Sequence, residues 1–488
     1  MSTVPPRTPV LVGVGTVSQR EDDFARAQEP VALMVESLER AAADAGAPAL
    51  LSGADSIRAP RGFWDYPDPC RIVAERLGAA RARMEVAEVG VLQTTLLARA
   101  ADDIASGRAD VVLVTGGEAR YRALRARLVG GDAPRTRQRP DVTPDSVLRP
   151  AGEILDPVEM RHGFVMPVGQ YAMIENALRA ADGLGIDTHR RALAGLVAAA
   201  SRVAAGNPDA WTREPVGIED VLRARPLAFP YTRLHTSEWN VDQAAGLILC
   251  SAERARALGV PRARWVFPLA VAESNHMLPV SRRRHLHRSP GFALAGARLR
   301  ERLGRGAADV AHVELYSCFP AAVRVQAREL GLDEKRPLTL TGGMAFAGGP
   351  LNSFVLQALP VMARRLRDDP GSVGLLTAVS GMITKQGVSA WSTEPPAGGF
   401  HSDDVSAEAA RHTAAVEVVP GASGRATVAS YTVLHEGAAP PRAILLCELE
   451  DGRRTLCESP DPALVESLER EEWCGRPVRI TTNGDVAT

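Results

Sequence analysis

In Ala109-Asp110-Val111-Val112-Leu113-Val114-Thr115-Gly116-Gly117 a short, β-branched apolar run is closed by two glycines. It has no polar alternation, so it reads as a strand buried on both faces, as in parallel sheets covered by helices. Residues 90–106 before it read as a helix, with Leu97, Ala100, Ala101 and Ile104 at helical spacing and Gly107 as its stop. The same order returns late in the chain. Leu351, Phe354, Val355 and Ala358 repeat the helical spacing, and Ser372–Val379 repeats the buried strand before Ser380-Gly381. Pro360 predicts a kink in that second helix. Both helices are expected to begin at glycine, Gly90 in one and Gly348-Gly349 in the other. Two such units predict an internal duplication of an α/β unit.

Outward from these units, Val10–Val14 reads as a first strand and Val31–Ala45 as a helix. The long gap between them excludes a dinucleotide fingerprint at Gly13-Val14-Gly15, which needs a helix opening straight from the turn. Residues 119–235 are less regular, with helix-like segments at 168–183 and 189–204 and basic stretches at Arg120–Arg127 and Pro134–Pro140. Residues 396–412 are polar and read as a linker. Beyond them Ala414–Val419, Ala426–Val433, Arg442–Glu448 and Val478–Thr481 are short alternating runs, the pattern of a small barrel or sandwich.

At ~150 residues per domain, 488 residues suggest about three domains. Hydrophobic residues at 45% and charged residues at 24% exclude disorder of the whole chain. Lys+Arg at 57 against Asp+Glu at 58 excludes a general nucleic-acid binder, which needs a clear positive excess. Nearly all the cations are arginine; the lysines are Lys335 and Lys385. Cys70, Cys250, Cys318, Cys447, Cys457 and Cys474 form no CxxC pair, so neither a zinc ribbon nor a disulfide framework is expected, and a reducing cytoplasm fits. Met1–Arg7 lacks the features of a signal peptide, and no apolar run reaches the ~18 residues of a membrane span.

Four segments together resemble the thiolase superfamily, in its branch of sterol-carrier-protein-type thiolases and type 1 thiolase-like proteins. They are Gly90-Val91-Leu92-Gln93 leading into Asp110–Glu118, Asn240–Cys250 continuing to Ala255–Gly259, Glu314–Phe319, and Gly342–Pro350 with Ser380-Gly381. The resemblance covers about residues 8–395. Residues 413–482, through Ala429–His435 and Ile444–Glu448, resemble the OB-fold module found beside thiolase-like proteins. The resemblance implies an α/β chain with a five-layered αβαβα fold from two similar halves, plus a C-terminal all-β OB-like domain. It implies a first half at 1–120 and 236–258, an inserted loop domain at 121–235, a second half at 259–400 and the OB-like domain at 401–488.

It also implies where the chemistry lies. The family's nucleophilic cysteine, activated at a helix start, falls at Gly90. The histidine of its Gly-His-Pro motif falls at Gly349, in Gly348-Gly349-Pro350. Its second cysteine falls at Ser380, and its oxyanion motif reads Tyr316-Ser317-Cys318-Phe319. Covalent thiolase turnover is therefore expected to be lost, although the resemblance is to acetyl-CoA acetyltransferases. Backbone N–H groups at Gly90 and Gly349 suit a thioester oxygen or a phosphate, and Gly348 joins Gly349 as a candidate for binding the coenzyme A thioester. Arg282, Arg283 and Arg284 are candidates for the phosphates of coenzyme A, against a solvated loop. Tyr316 is the candidate acid or base if its pKa is lowered, against a structural tyrosine. His162 lies in a loop that covers the family's acyl pocket, against an ordinary loop histidine. Cys318 reads as core, and His435 enters only if the OB-like domain docks over the pocket. No metal and no covalently bound cofactor are expected; coenzyme A thioester is the expected substrate or ligand. Three readings stay open: a non-covalent acyltransferase or carbon–carbon lyase (aldolase) on an acyl-CoA, an acyl-CoA carrier, and a scaffold for a partner enzyme. A homodimer is also open.

Overall fold

Three β-sheets organise the chain in this computed structural model, which describes residues 4–482 and 484–487. Met1–Thr3, at the start of the segment read as lacking a leader, lie outside the described residues. The first sheet contains β1 (Pro9–Gln19), β2 (Ser56–Pro60), β3 (Arg83–Ala87), β4 (Val111–Ala119) and β5 (Ser146–Leu148). After the short strands β6 (Pro226–Ala228) and β7 (Tyr231–Thr232) comes its last member, β8 (Asp242–Ser251). Its order is β1-β8-β4-β2-β3-β5. The second sheet holds β9 (Phe267–Ser274), β10 (His312–Glu314), β11 (Val373–Ser380), β12 (Lys385–Ser392) and β13 (His401–Asp404), ordered β10-β11-β12-β9-β13.

The duplication is visible in the strand directions. Along β1-β8-β4-β2 the pairings run antiparallel, antiparallel, parallel. Along β9-β12-β11-β10 they repeat that sequence. The run at 109–117 becomes β4, buried along its whole length as its composition requires. Helices Gln93–Ala105 and Phe354–Asp368 lie between the sheets and touch strands of both. Pro30–Ala45 covers the outer face of the first sheet and Pro290–Leu303 that of the second. These are the five layers of a thiolase-like αβαβα fold. Gly13-Val14-Gly15 serves packing: a Cβ at Gly13 would collide with the Ala41 carbonyl, and one at Gly15 with the Ser37 carbonyl. The glycines let the outer helix approach β1.

The central helices start later than their glycines suggest. The first begins at Gln93, and Gly90 sits in the preceding turn at φ +104°. The second begins at Phe354, after a single 3-10 turn at Leu351–Ser353. It runs through Pro360 uninterrupted. Proline removes one backbone hydrogen bond there, and the buried face of Val355, Leu359 and Met362 holds the helix together.

The segment read as a linker is structured. β13 pairs with β9 at the sheet edge, and Ser406–His412 is a helix. Its polarity is that of an edge strand: Arg302 reaches Asp403 with two hydrogen bonds, at 2.7 and 2.9 Å. The third sheet contains β14 (Gly424–Leu434), β15 (Arg442–Leu449), β16 (Arg454–Ser459), β17 (Pro477–Ile480) and β18 (Val486–Ala487), ordered β16-β15-β14-β17-β18. This is the strand-rich C-terminal unit, with its own helix Pro462–Arg470 and the earlier helix Pro167–Ala181 packed on it. Ala414–Val419 is extended but makes only isolated bridges, to Arg283 and Arg454. The third sheet is tied to the rest of the chain. β6 pairs with β14 through Ala228 and Leu434, and Asn176 Nδ2 donates to the carbonyls of Tyr431 and Phe229 at 2.8 and 3.1 Å.

Candidate functional site

A cavity of about 730 Å³ opens where the two halves meet. Gly90 enters it from the turn before the first central helix and Gly349 from the turn before the second. Ser380 enters from the end of β11, and Tyr316 from the segment after β10. The fold thus brings four of the sequence-selected positions to one wall. Gly348 is not among the lining residues; at φ +106° it packs on Gln243, whose side chain a Cβ would strike.

Gly349 does not act as a free helix-start donor. Gly349 N–H donates to the Glu238 carbonyl at 2.8 Å. Gly90 is held through its carbonyl, which accepts from the buried Lys385 Nζ at 2.8 Å. Behind this turn lies Glu273, a buried carboxyl that accepts from Thr94 and, at 2.9 Å, from Thr95. Burial pushes its pKa up to about 7.

Tyr316 is fixed from three sides. Its N–H donates to Thr377 Oγ1 at 2.8 Å, its carbonyl accepts from Gln326 at 2.7 Å, and its ring stands edge-on to Phe354. Burial raises its pKa, with Cys318 adding to the rise and the Gln93 amide opposing it. The lowered pKa that base catalysis needs is absent; near neutral pH Tyr316 is a protonated hydrogen-bond donor. Cys318 lines the cavity as well as packing in the core. Burial pushes its thiol up to about 12, far from the thiolate range. Tyr171, stacked on Phe319 at 4.5 Å, also lines the cavity: its hydroxyl donates to the Gly381 carbonyl at 3.0 Å and accepts from Ile383 N–H at 3.2 Å. It thereby holds Ile383 in the left-handed region, at φ +57°.

The arginine run lies elsewhere. Arg283 is buried, donating to the carbonyls of Met382 and Leu278 at 2.6 and 3.1 Å. Arg284 pairs with Glu448 of β15 at 2.8 Å, and Arg282 lies 3.9 Å from Asp156. Arg454 of β16 donates to the carbonyls of Arg283 and Arg284. The run joins the third sheet to the core and does not line the cavity. His162 faces the third sheet too: its Nδ1 is 3.6 Å from Glu458 and its carbonyl accepts from Arg442 at 2.9 Å. His435 pairs with Glu469 at 2.8 Å beside a smaller pocket of about 230 Å³, which shares Met166, Val168, Arg225 and Leu227 with the main cavity. In the Arg120–Arg127 run, Arg120 lies over the rings of Phe63 and Trp239, at 4.1 and 4.8 Å.

Among the lining residues that the sequence does not single out are Arg225, Arg233, Glu238 and Asn352. Arg225 and Arg233 are exposed on the cavity wall. The bond from Arg233 N–H to the Arg225 carbonyl, 2.9 Å, holds them together across the β6–β7 hairpin. Unlike Arg282 and Arg284, neither has a carboxylate partner among the described residues. Glu238 supplies the carboxylate among the lining residues, and Asn352 is a buried amide in the wall. The sequence signal for Glu238 is its place two residues before the Asn240 segment; Arg225, Arg233 and Asn352 carry no such signal.

No family model matches the chain. A monomeric SCP2-thiolase-like protein type 1 from Mycobacterium smegmatis superposes with a TM-score of 0.81 at 30% identity, over 98% of each chain. The chain belongs to the thiolase superfamily. Other comparisons are partial. This superfamily member is 30% identical over 185 residues to the benzoylsuccinyl-CoA thiolase subunit BbsB of Thauera aromatica, covering 36% of this chain and 44% of that one. The chain spans about half the length of the curated relatives it matches. The Ltp2-ChsH2(DUF35) aldolase shares the fold, with a TM-score of 0.59 at 19% identity over 79% of this chain and 98% of that one. No helix among the described residues is long and apolar enough to cross a membrane.

Proposed function

We propose that this chain binds an acyl-CoA thioester in the 730 Å³ cavity and acts on it, if it turns it over, without an acyl-enzyme. One observation carries this reading. Gly90, Gly349, Ser380 and Tyr316 meet at one cavity, yet the thiol that lines it, Cys318, has its pKa pushed up to about 12. A thiol held that high is protonated near neutral pH and is a poor nucleophile. Gly90 supports the same conclusion. A side chain there must adopt φ +104°, and its Cβ would lie 2.9 Å from the Pro150 ring. Arg225 and Arg233 are the cations placed to meet the phosphates, which arginine binds through charge-assisted hydrogen bonds.

Glu238 favours the carbon–carbon lyase over the acyltransferase and over the carrier or scaffold. On a β-hydroxyacyl-CoA its carboxylate would take the hydroxyl proton. The Cα–Cβ bond would break to give a carbonyl product, and the electron pair would pass to the thioester as an enolate beside the Tyr316 hydroxyl. Protonation at Cα completes a shorter acyl-CoA. Six free cysteines fit a cytoplasmic protein.

The test is mass spectrometry after incubation with acyl-CoAs, including β-hydroxy and β-keto thioesters. A shortened thioester with no acyl mass on the protein is expected, and Glu238→Gln should remove turnover. Gly90→Cys should add no acyl adduct. An acyl mass on wild-type protein would overturn the non-covalent reading; binding of every thioester without change would leave the carrier.

A further inference from the structure

Asn352 is 8% exposed and forms part of the cavity wall. It enters from the 3-10 turn ahead of the second central helix. Its Oδ1 accepts from Gln93 Nε2 at 3.0 Å, a bond that crosses from the first residue of the other central helix. Gln93 and Asn352 thus form a short hydrogen-bonded chain across the two halves, and Asn352 and Tyr316 are both among the residues that line the cavity. The chain is incomplete at one end: Asn352 Nδ2 is buried with no hydrogen-bond partner. A buried amide N–H without an acceptor is strongly disfavoured, so such a group is normally answered by protein, water or ligand.

We infer that Asn352 Nδ2 is a ligand-binding donor that receives the carbonyl oxygen of the thioester, with the Tyr316 hydroxyl as the second donor. This rests on the acyl-CoA reading above. The need for such a donor follows from the site itself. Gly349 N–H already donates to the Glu238 carbonyl, so that glycine has no N–H to offer. Tyr316, as a neutral phenol, supplies one hydrogen bond to an oxygen that can take two. Gln93 Nε2 occupies the Asn352 oxygen, which leaves Nδ2 as the group of that carboxamide without a partner. Two fixed donors at one oxygen favour the negative charge that an enolate places there more than they favour the ground-state carbonyl. Asn352 therefore selects for ligands with an acceptor oxygen at the thioester position.

Two variants of the full chain test this, Asn352→Asp and Asn352→Leu. Aspartate keeps the shape and the acceptor for Gln93 but replaces the donor; leucine keeps the volume alone. Calorimetry with free coenzyme A and with acetyl-CoA separates the carbonyl contribution from that of the nucleotide. Wild type is expected to prefer acetyl-CoA, and both variants to lose about tenfold of that preference, the equivalent of one net hydrogen bond. Affinity for free coenzyme A should stay within about twofold. The infrared carbonyl band of 13C-labelled acetyl-CoA should fall in frequency on wild type and return toward its free position on the variants, a readout that a structural role would not move. Unchanged preference and an unchanged band in both variants overturn the inference, as does a wild type that binds the two ligands equally; in either case the coenzyme A reading stands. A wild type that binds neither ligand removes both readings. Should Asn352→Leu fail to fold, Asn352→Asp alone decides.

Discussion

Two groups of arginines divide the work of this molecule, and their sequences would assign them the other way round. Arg282, Arg283 and Arg284 belong to the densest basic run in the chain, but their partners are a carboxylate of β15, backbone carbonyls and Asp156. Arg225 and Arg233 stand eight positions apart, with only Arg223 and His235 as basic residues close by, and they line the cavity. A guanidinium already hydrogen-bonded in the fold has little left for a ligand. Pairing, and not local density, marks an available cation.

The sharpest break of the contrast is at a paired arginine in the core. Arg324 holds Glu175 at 2.7 Å, Asp182 at 3.0 Å and Glu334 at 3.3 Å. Arg324→Met should lower the unfolding free energy by about 3–5 kcal/mol in denaturant titrations near neutral pH, because it leaves a buried carboxylate uncompensated. The pH dependence follows from Glu175. Burial works to raise its pKa, but His189, Arg324 and the hydroxyl of Tyr231 hold it down at about 2. A depressed folded pKa contributes stability above the unfolded value, about 4.5, which is lost as pH falls toward 2. The deficit of Arg324→Met should therefore be largest near pH 7 and shrink below about pH 4.5; a deficit constant over that range would separate Glu175 from Arg324.

At the cavity, the double variant Arg225→Glu, Arg233→Glu should weaken coenzyme A binding about 10–100-fold at low ionic strength, with a smaller loss as salt rises. Fluorescence or calorimetric titration at two salt concentrations reads both. The smallest effect is expected at Arg282, half-exposed and 3.9 Å from Asp156. Arg282→Glu should leave coenzyme A affinity unchanged and move stability by less than about 0.5 kcal/mol. A steep loss of affinity there, with none at Arg225 and Arg233, would reverse the contrast.

The parts of the fold legible in the sequence are those where burial leaves no freedom in composition. β4 and β11 are apolar on both faces, so they stand out as uninterrupted runs, and the duplication follows from their matching helices. β13 was hidden because an edge strand keeps one face in water and uses Ser402 and the carboxylates of Asp403 and Asp404. The helices start later than their glycines suggest because glycine signals a turn, and here two residues, Val91 and Leu92, follow Gly90 before the helix begins. For the site, family resemblance selected Gly90, Gly349, Ser380 and Tyr316, which the fold draws to one cavity. Composition could not find Arg225 and Arg233, because their place on the wall depends on how the β6–β7 hairpin crosses the cavity. Nor could it find that Tyr316 is protonated, since burial sets that property.

Arg225 immediately precedes β6, and β6 lies against β14 of the C-terminal sheet. Arg225, proposed above to meet a phosphate, is therefore covalently continuous with the strand that seams the third sheet to the body of the protein. Occupancy and attachment become linked equilibria, and linkage is reciprocal. A ligand that immobilises Arg225 tightens the seam by the same free energy with which a firmly seated C-terminal sheet tightens the ligand.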